Sequence, residues 1–271
     1  MRVVTSEREL RGLGGCVCVP TMGALHAGHA SLVRAARAAA GAAAPVVVTV
    51  FVNPTQFNDA ADLARYPRTL EADAALCHQS GADAVFAPPV GEVYPHGRVV
   101  RVPALPAVAT EPGLEDRWRP GHFAGVCQVV ARLFEMVSPA AAVFGQKDWQ
   151  QLQVIRAMTA QERLGVEIIP GETVREHDGL AMSSRNRFLS AADRAPATAL
   201  SRALAVAAQE RDACGAEKLM LDTLRSAGHR VEYAVVRQAE TLGPITRAGD
   251  RGRALIATRL GDVRLIDNAA W

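Results

Sequence analysis

A chain of 271 residues exceeds a typical single domain, so one larger domain with a smaller companion is expected. Hydrophobic residues make up 49%, enough for a substantial buried core, and 30 Lys and Arg against 28 Asp and Glu leave a net charge of +2. That balance, with only three Trp and three Tyr, argues against a nucleic-acid binder built on bulk charge or base stacking, and any anion must be held by a local site. In chain order, the polar segment Met1–Arg11 lacks the apolar core of a signal peptide. The run Gly15–Val19 ends at Pro20 and fits a buried parallel strand. His29–Ala40 predicts a helix, with Leu32, Val33 and Ala36 on one face, and the β-branched run Val46–Val52 predicts a second buried strand. The greasy stretch Ala38–Val52 is broken by Gly41 and Pro45 and is short for a bilayer crossing, so a soluble, cytoplasmic protein without a membrane partner is expected. Leu63–Gln79 has helical composition and Asp83–Ala87 reads as a third strand. Pro88–Pro120 is loop-rich, with seven prolines and one strand candidate at Val99–Val102.

Beyond that loop, Phe123–Val137 carries apolar residues at helical spacing, Ala141–Phe144 reads as a strand, Trp149–Arg163 as a helix and Val166–Ile169 as a strand. Alternating strands and helices predict an α/β, Rossmann-like parallel sheet with helices on both faces, spanning residues 1–173. Ligands of such sheets bind beyond the carboxyl ends of the strands, which directs attention to Pro20–His29, Asn53–Phe57 and Gly145–Asp148. After Ser190 the pattern changes. Helices at Ala191–Gln209 and Ala216–Ala227 and strands at Val231–Val236, Ala254–Leu260 and Val263–Ile266 predict a smaller α+β domain with an antiparallel sheet, spanning 174–271. The five cysteines, Cys16, Cys18, Cys77, Cys127 and Cys214, lack zinc spacing and read as reduced packing residues.

Four segments carry chemistry. In Pro20–His29, Gly23 and Gly28 permit close backbone approach and the helix start suits a phosphate. His26 and His29, three apart, either cap that helix or donate to phosphate oxygens. In Phe51–Phe57, Asn53 and Gln56 either cap a turn or orient the hydroxyls of a hydroxy acid. In Gly145–Gln151, Lys147 is a compact positive charge for a phosphate, Asp148 a helix cap or ribose partner, and Gln151 lies one turn further on. In Arg175–Asn186, Ser183, Ser184 and Arg185 form a compact phosphate grip beside Met182, or else an interdomain linker; as a lid the segment would exclude water. A metal site needs a third ligand beside the histidine pair, and none is identifiable, so no protein-held metal is expected.

The stretch His26-Ala27-Gly28-His29 resembles the H-x-G-H signature of the nucleotidylyltransferase superfamily. Together PTMGALHAGHASL, VFVNPTQF, YPRTLEAD, RPGHFAGV, FGQKDWQQLQVIR and VREHDGLAMSSRNRFLS resemble the pantothenate synthetase family, in the family's order, from about residue 19 to 190. The resemblance implies ATP-dependent joining of pantoate to β-alanine through a pantoyl-adenylate, with Mg²⁺ accompanying ATP, in a homodimer. It implies that Met22, Gly23, Ala24, Leu25, His26, Ala27, Gly28 and His29 line the ATP site, with His29, His26 and Lys147 as the catalytic residues. Gly145, Gln146, Lys147 and Asp148 would also bind ATP, Val174 would meet the nucleotide, and Met182, Ser183, Ser184 and Arg185 would close over the triphosphate. Gln56 and Gln151 would hold pantoate, Gln56 would also contact β-alanine, and Asn53 and Arg119 join the substrate-binding set. Gln146 stands where many members have Glu, and Trp149 replaces a smaller aromatic. Two rival expectations remain: another nucleotidyl-transferring member of the superfamily, and a nucleotide-binding module without turnover.

Overall fold

The computed structural model describes all residues except 58, 59 and 248, and all side chains except those and 60–62. The chain divides into two compact units, Met1–Gln146 with Gln151–Glu172, and Lys147–Gln150 with Thr173–Trp271. A single boundary at 173/174 does not contain the short Lys147–Gln150 segment, which groups with the second unit.

In chain order the first part comprises β1 (Arg2–Val4), β2 (Val17–Thr21), α1 (Ala27–Ala40), β3 (Val46–Val50), α2 (Ala60–Arg65), α3 (Leu70–Gln79) and β4 (Ala84–Phe86). Then come α4 (Val90–Val93), α5 (Glu115–Trp118), α6 (His122–Val137), β5 (Ala141–Gly145), α7 (Trp149–Gln161) and β6 (Glu167–Gly171). The six strands pair in the order β1-β4-β3-β2-β5-β6, every pairing parallel. β2, β3 and β5 are buried on both faces, which explains their near-continuous apolar sequences. From β2 the chain builds outward through β3 and β4, then returns to the other side of β2 with β5. That reversal makes the carboxyl ends of β2 and β5 the topological switch point, where the fold class places ligands.

The second unit holds α8 (Ala191–Ala197), α9 (Ala199–Ala207), α10 (Ala213–Ser226) and an antiparallel sheet of β7 (Arg230–Gln238), β8 (Gly252–Leu260) and β9 (Val263–Ala270). The β8–β9 hairpin turns at Gly261-Asp262, with Leu260 opposite Val263 and Gly261 at φ +55°. Its core packs Leu200, Met220 and Leu224 against Ala234, Val236 and Ile256.

Four expectations change. Arg2–Val4 pairs with β4 as an edge strand although Val3 is 48% exposed. Leu63–Gln79 is two helices, because Pro67 lacks the N–H that would carry the helix through. Ala191–Gln209 likewise divides at Thr198, just past Pro196. Val99–Val102 is not a strand: Val99 is 93% exposed, and the Val100 carbonyl accepts from Gln128 Nε2 at 2.7 Å rather than from a neighbouring strand. Four cysteines are buried free thiols and Cys214 is an exposed one. Burial pushes Cys16 up to about 11 and Cys127 up to about 12, which keeps them as inert packing groups.

Candidate active site

The loop from β2 to α1 is shaped by backbone conformations that most side chains resist. Gly23 sits at φ +82°, and a Cβ there would lie 3.0 Å from Asp73 Oδ2 and 3.1 Å from Val50 Cγ1. Ala24 follows at φ +52°, a left-handed conformation costing a non-glycine residue about 1–2 kcal/mol. The strain is offset by Asp73 on α3, a side chain only 2% exposed. Its Oδ2 accepts from the Ala24 N–H at 3.0 Å and its Oδ1 from the Leu25 N–H at 2.8 Å. Thr69 Oγ1 donates to the same carboxylate at 3.1 Å. At the strand end, Thr21 Oγ1 donates to the Thr49 carbonyl at 2.7 Å, which ties the loop's root to β3.

The two histidines meet at the start of α1. His26 is its N-cap and accepts from the Gly28 N–H through Nδ1 at 3.2 Å. The His26 N–H donates to His29 Nδ1 at 3.3 Å, and the rings lie 4.1 Å apart. Both Nδ1 atoms are therefore acceptors, so each neutral ring carries its proton on Nε2. The capping alternative read from the sequence fits the pair, and the same contacts leave the ring proton of each on Nε2. Met22, Leu25 and Gly28 are half-buried, while Ala27 is exposed on the first turn.

The turn after β3 forms a second cluster in the same unit. Asn53 is 1% exposed and its amide is engaged at both ends. Its Nδ2 donates to the Gly125 carbonyl at 3.1 Å and to Gln56 Oε1 at 3.3 Å. Its Oδ1 accepts from Tyr94 OH at 2.8 Å and from Thr55. The turn-capping alternative fits this residue. Gln56 Nε2 reaches back to the Met22 sulfur, so the β3 turn and the β2 loop meet at these two side chains. Arg119 Nη1 donates to His122 Nε2 at 3.0 Å, and His122 Nδ1 donates to the Gln56 carbonyl at 3.1 Å. A carbonyl only accepts and a guanidinium only donates, so His122 is a neutral Nδ1–H tautomer relaying between Arg119 and Gln56. Arg119 also faces Glu115 at 3.7 Å. Gly125 allows α6 to lie directly on this turn, where a Cβ would come within 2.6 Å of the Thr55 oxygen.

At the end of β5, Gly145 pairs with Gly171 of β6, and the Gln146 N–H donates to the Gly171 carbonyl at 2.8 Å. Leu32 of α1 packs beneath both glycines. Gln151 is half-buried on α7. The structure thus brings Met22, Gln56, His26 and His29 to neighbouring strand ends of the first unit.

Lys147 and Asp148 group with the second unit, the first half-buried and the second exposed. There Val174 accepts from the Met182 N–H at 2.9 Å and Arg175 bridges Ala181, which makes residues 174–182 a small hairpin. Ser183 Oγ accepts from the Arg185 N–H at 3.2 Å and starts a short 3₁₀ turn over Ser184–Phe188. Met182, Ser183, Ser184 and Arg185 are half-buried.

The family model described as pantoate-beta-alanine ligase matches residues 2–270. The chain belongs to that family. A pantothenate synthetase of a Nocardioides species is 53% identical over 264 residues, covering 92% of this chain and 77% of the relative. The crystal structure of a pantothenate synthetase from Thermus thermophilus superposes with a TM-score of 0.92 at 43% identity, covering 99% of each chain. That of a pantoate-beta-alanine ligase from Francisella tularensis, complexed with beta-gamma ATP and beta-alanine, has a TM-score of 0.82 at 30% identity and covers 100% of this chain and 97% of its own.

Sequence reasoning passed over Asp73, Tyr94, His122 and Gly125. Asp73 and His122 lie inside YPRTLEAD and RPGHFAGV, stretches matched as motifs but not read residue by residue. The signal was present there as a charged and an aromatic polar side chain within otherwise helical composition.

Proposed function

We propose that this chain joins pantoate to β-alanine with ATP, giving pantothenate, AMP and pyrophosphate, in pantothenate biosynthesis. A pantoate carboxylate oxygen attacks the α-phosphorus of ATP, the bond to the β-phosphate oxygen breaks, and pyrophosphate leaves with the pair. The β-alanine amine, having lost its extra proton to solvent, then attacks the acyl carbon; the C–O bond to phosphate breaks, AMP departs with the electron pair, and the nitrogen gives up a second proton to solvent as the amide forms. Neither step needs a nucleophilic side chain, so orientation and charge stabilisation are what the protein supplies.

The observation that carries this reading is the meeting of Gln56 with Met22 beside the paired histidines. Two fixed Nε2–H donors suit phosphate oxygens, and a neutral amide beside them suits a hydroxy acid and an amine. His29 and His26 are assigned to the phosphates of ATP, Gln56 and Gln151 to pantoate, and Gln56 also to β-alanine. Asn53 and Arg119 act as positioning residues for Gln56. Lys147, with Ser183, Ser184 and Arg185, is assigned to the triphosphate, and Gly145, Gln146, Asp148, Val174 and Met182 to the rest of the nucleotide. Among the described residues no group of three or more His, Cys, Asp or Glu is arranged to hold a metal ion. Mg²⁺ belongs to this proposal as part of the Mg–ATP substrate. Among the described residues no helix is long and apolar enough to cross a membrane. A cytoplasmic location and a homodimer, which the resemblance implies, are part of the proposal; light scattering in solution tests the second.

Incubation with ATP, Mg²⁺, pantoate and β-alanine should release AMP and pantothenate, and omission of β-alanine should leave pantoyl-adenylate bound. Pantoate-dependent ATP–pyrophosphate exchange separates this activity from other nucleotidyl transfers, and ATP binding without exchange would defeat it. His29→Ala and Lys147→Ala should each slow single-turnover adenylation by at least ~10²-fold, the scale of losing one transition-state donor.

A further inference from the structure

The strand β9 ends in a feature that the mechanism has not used. Asp267 and Asn268 are adjacent, polar and almost fully enclosed, at 2% and 3% exposure. Successive residues of a strand face opposite sides, so the pair reaches out from both faces of an edge strand. On one side Asp267 takes Arg175 in a two-bond grip, Nη1 to Oδ2 at 2.7 Å and Nη2 to Oδ1 at 3.1 Å. Arg175 also donates to the Gly179 carbonyl at 3.0 Å, so the grip fixes the whole 174–182 hairpin whose last residue is Met182. On the other side Asn268 Nδ2 donates to the Lys147 main-chain carbonyl at 2.7 Å.

The Asn268 amide cannot be turned round. Its Oδ1 accepts from Arg253 Nε at 2.8 Å, a guanidinium that only donates, while the Lys147 carbonyl only accepts. Arg253 in turn lies 3.7 Å over the ring of Trp149, and Trp149 Nε1 donates to the Ala239 carbonyl at 2.6 Å. Burial pulls Arg253 down to about 10, with Asp267 opposing and Arg175 adding to the fall, so it remains a cation at neutral pH. Two segments far apart in sequence, Lys147–Trp149 and Arg175–Met182, are therefore referred to one dipeptide.

We propose that Asp267 and Asn268 are positioning residues for ligation: Asn268 sets the main chain that presents Lys147, and Asp267 sets the hairpin that presents Met182–Arg185. This rests on the assignment of Lys147 to phosphate made above. Neither residue touches substrate, and each acts through the segment it holds.

Asn268→Asp separates the two bonds of the amide. It keeps an acceptor for Arg253 and replaces the donor facing the Lys147 carbonyl with a second acceptor. The expected result is an enzyme that folds, forms pantoyl-adenylate at least about tenfold more slowly in a single turnover and keeps its KM for pantoate. Added to Lys147→Ala, the same change should cost less than about twofold, because a residue acting through Lys147 has nothing left to position. Arg175→Lys gives a second route should Asn268→Asp not fold. It keeps a cation on Asp267 but loses the fork, and should raise KM for ATP at least about fivefold with KM for pantoate unchanged. Adenylation by Asn268→Asp within about twofold of the parent, alongside a crippled Lys147→Ala, overturns the anchor alone. A normal rate in Lys147→Ala overturns the reading beneath it. Equal rises in both KM values for Arg175→Lys, or full additivity with Lys147→Ala, mark a purely structural role and overturn the proposal.

Discussion

In the first unit the loop after β2 is held by one enclosed carboxylate, Asp73, closed on two main-chain N–H groups. In the second the hairpin before Met182 is held by side-chain ion pairs: Arg175 with Asp267, and Arg194 with Glu176 at 2.7 Å and Asp178 at 2.6 Å. A carboxylate on main-chain donors fixes the backbone itself. An ion pair fixes side chains, which retain rotamers, and where both partners keep about a third of their exposure, as Arg194 and Glu176 do, salt screens them. The first arrangement fixes the main chain at Ala24 and Leu25, just ahead of the histidine pair. The second holds the hairpin through pairs of unequal strength, Asp267 enclosed against Arg175 and Glu176 partly exposed against Arg194. The neighbouring Asp178 carboxyl is lowered even though burial alone would raise it, because Arg194 and the Leu180 N–H favour the charged form.

The comparison breaks first at Asp73. Asp73→Ala leaves the Ala24 and Leu25 N–H groups without their acceptor and leaves Ala24 in a left-handed conformation with nothing to hold it. A loss of about 3 kcal/mol in unfolding free energy is expected from two enclosed donors, together with an adenylation rate reduced at least about tenfold. Chemical denaturation and single-turnover adenylate formation measure these separately. A variant with parental stability and rate would mean that the loop holds its own shape.

Why Asp73 was illegible is instructive. Its partners lie 48 and 49 residues away, so nothing local distinguishes it from a solvated acid on a helix. The strands β2, β3 and β5 were legible because burial on both faces writes itself as short runs that are mostly apolar, such as Val46–Val48 and Ala141–Phe144, and the loops after them because ligand sites of parallel sheets follow strand ends. The helix breaks at Pro67 and Pro196 were visible residues outweighed by helical composition around them. β1 left no pattern, since three residues at a half-exposed edge need not be apolar. The histidine pair was legible as a motif, but its tautomers were not, because these depend on which nitrogen meets a main-chain N–H.

Gly125 sharpens the comparison from the substrate side. Gly125→Ala places a methyl 2.6 Å from the Thr55 oxygen and 2.9 Å from the Gln56 Cα, both main-chain atoms with no rotamer to turn aside. Either α6 or the turn must shift, at about 1–3 kcal/mol of stability for overpacking. Gln56 moves with the turn while the Asp73-held loop stays, so KM for pantoate should rise more than KM for ATP. Steady-state kinetics with each substrate varied in turn reads the split; equal changes in both constants would mean that the two clusters move as one body.

The smallest effect concerns the second unit's core. His229 is 5% exposed, and its Nε2 faces the Pro196 carbonyl at 3.1 Å, so Nε2 carries the proton and Nδ1 is bare toward Thr258 Oγ1 at 3.4 Å. Burial lowers its pKa below the ordinary 6.5, with the Pro196 bond opposing, Arg202 adding to the fall and Asp193 opposing. Below that ordinary value the unfolded chain takes up a proton that the folded imidazole resists. The unfolded state then binds more protons, and stability falls as pH drops from the unfolded value toward the folded one. The parent should therefore lose more of its Tm between about pH 7 and about pH 5 than His229→Gln, which keeps an N–H donor for Pro196 but cannot be protonated. The lost increment should appear in the unfolding of the second unit and leave the Asp73-held loop untouched. Thermal unfolding of both proteins across that range decides it, and parallel slopes would mean that the acid sensitivity arises elsewhere.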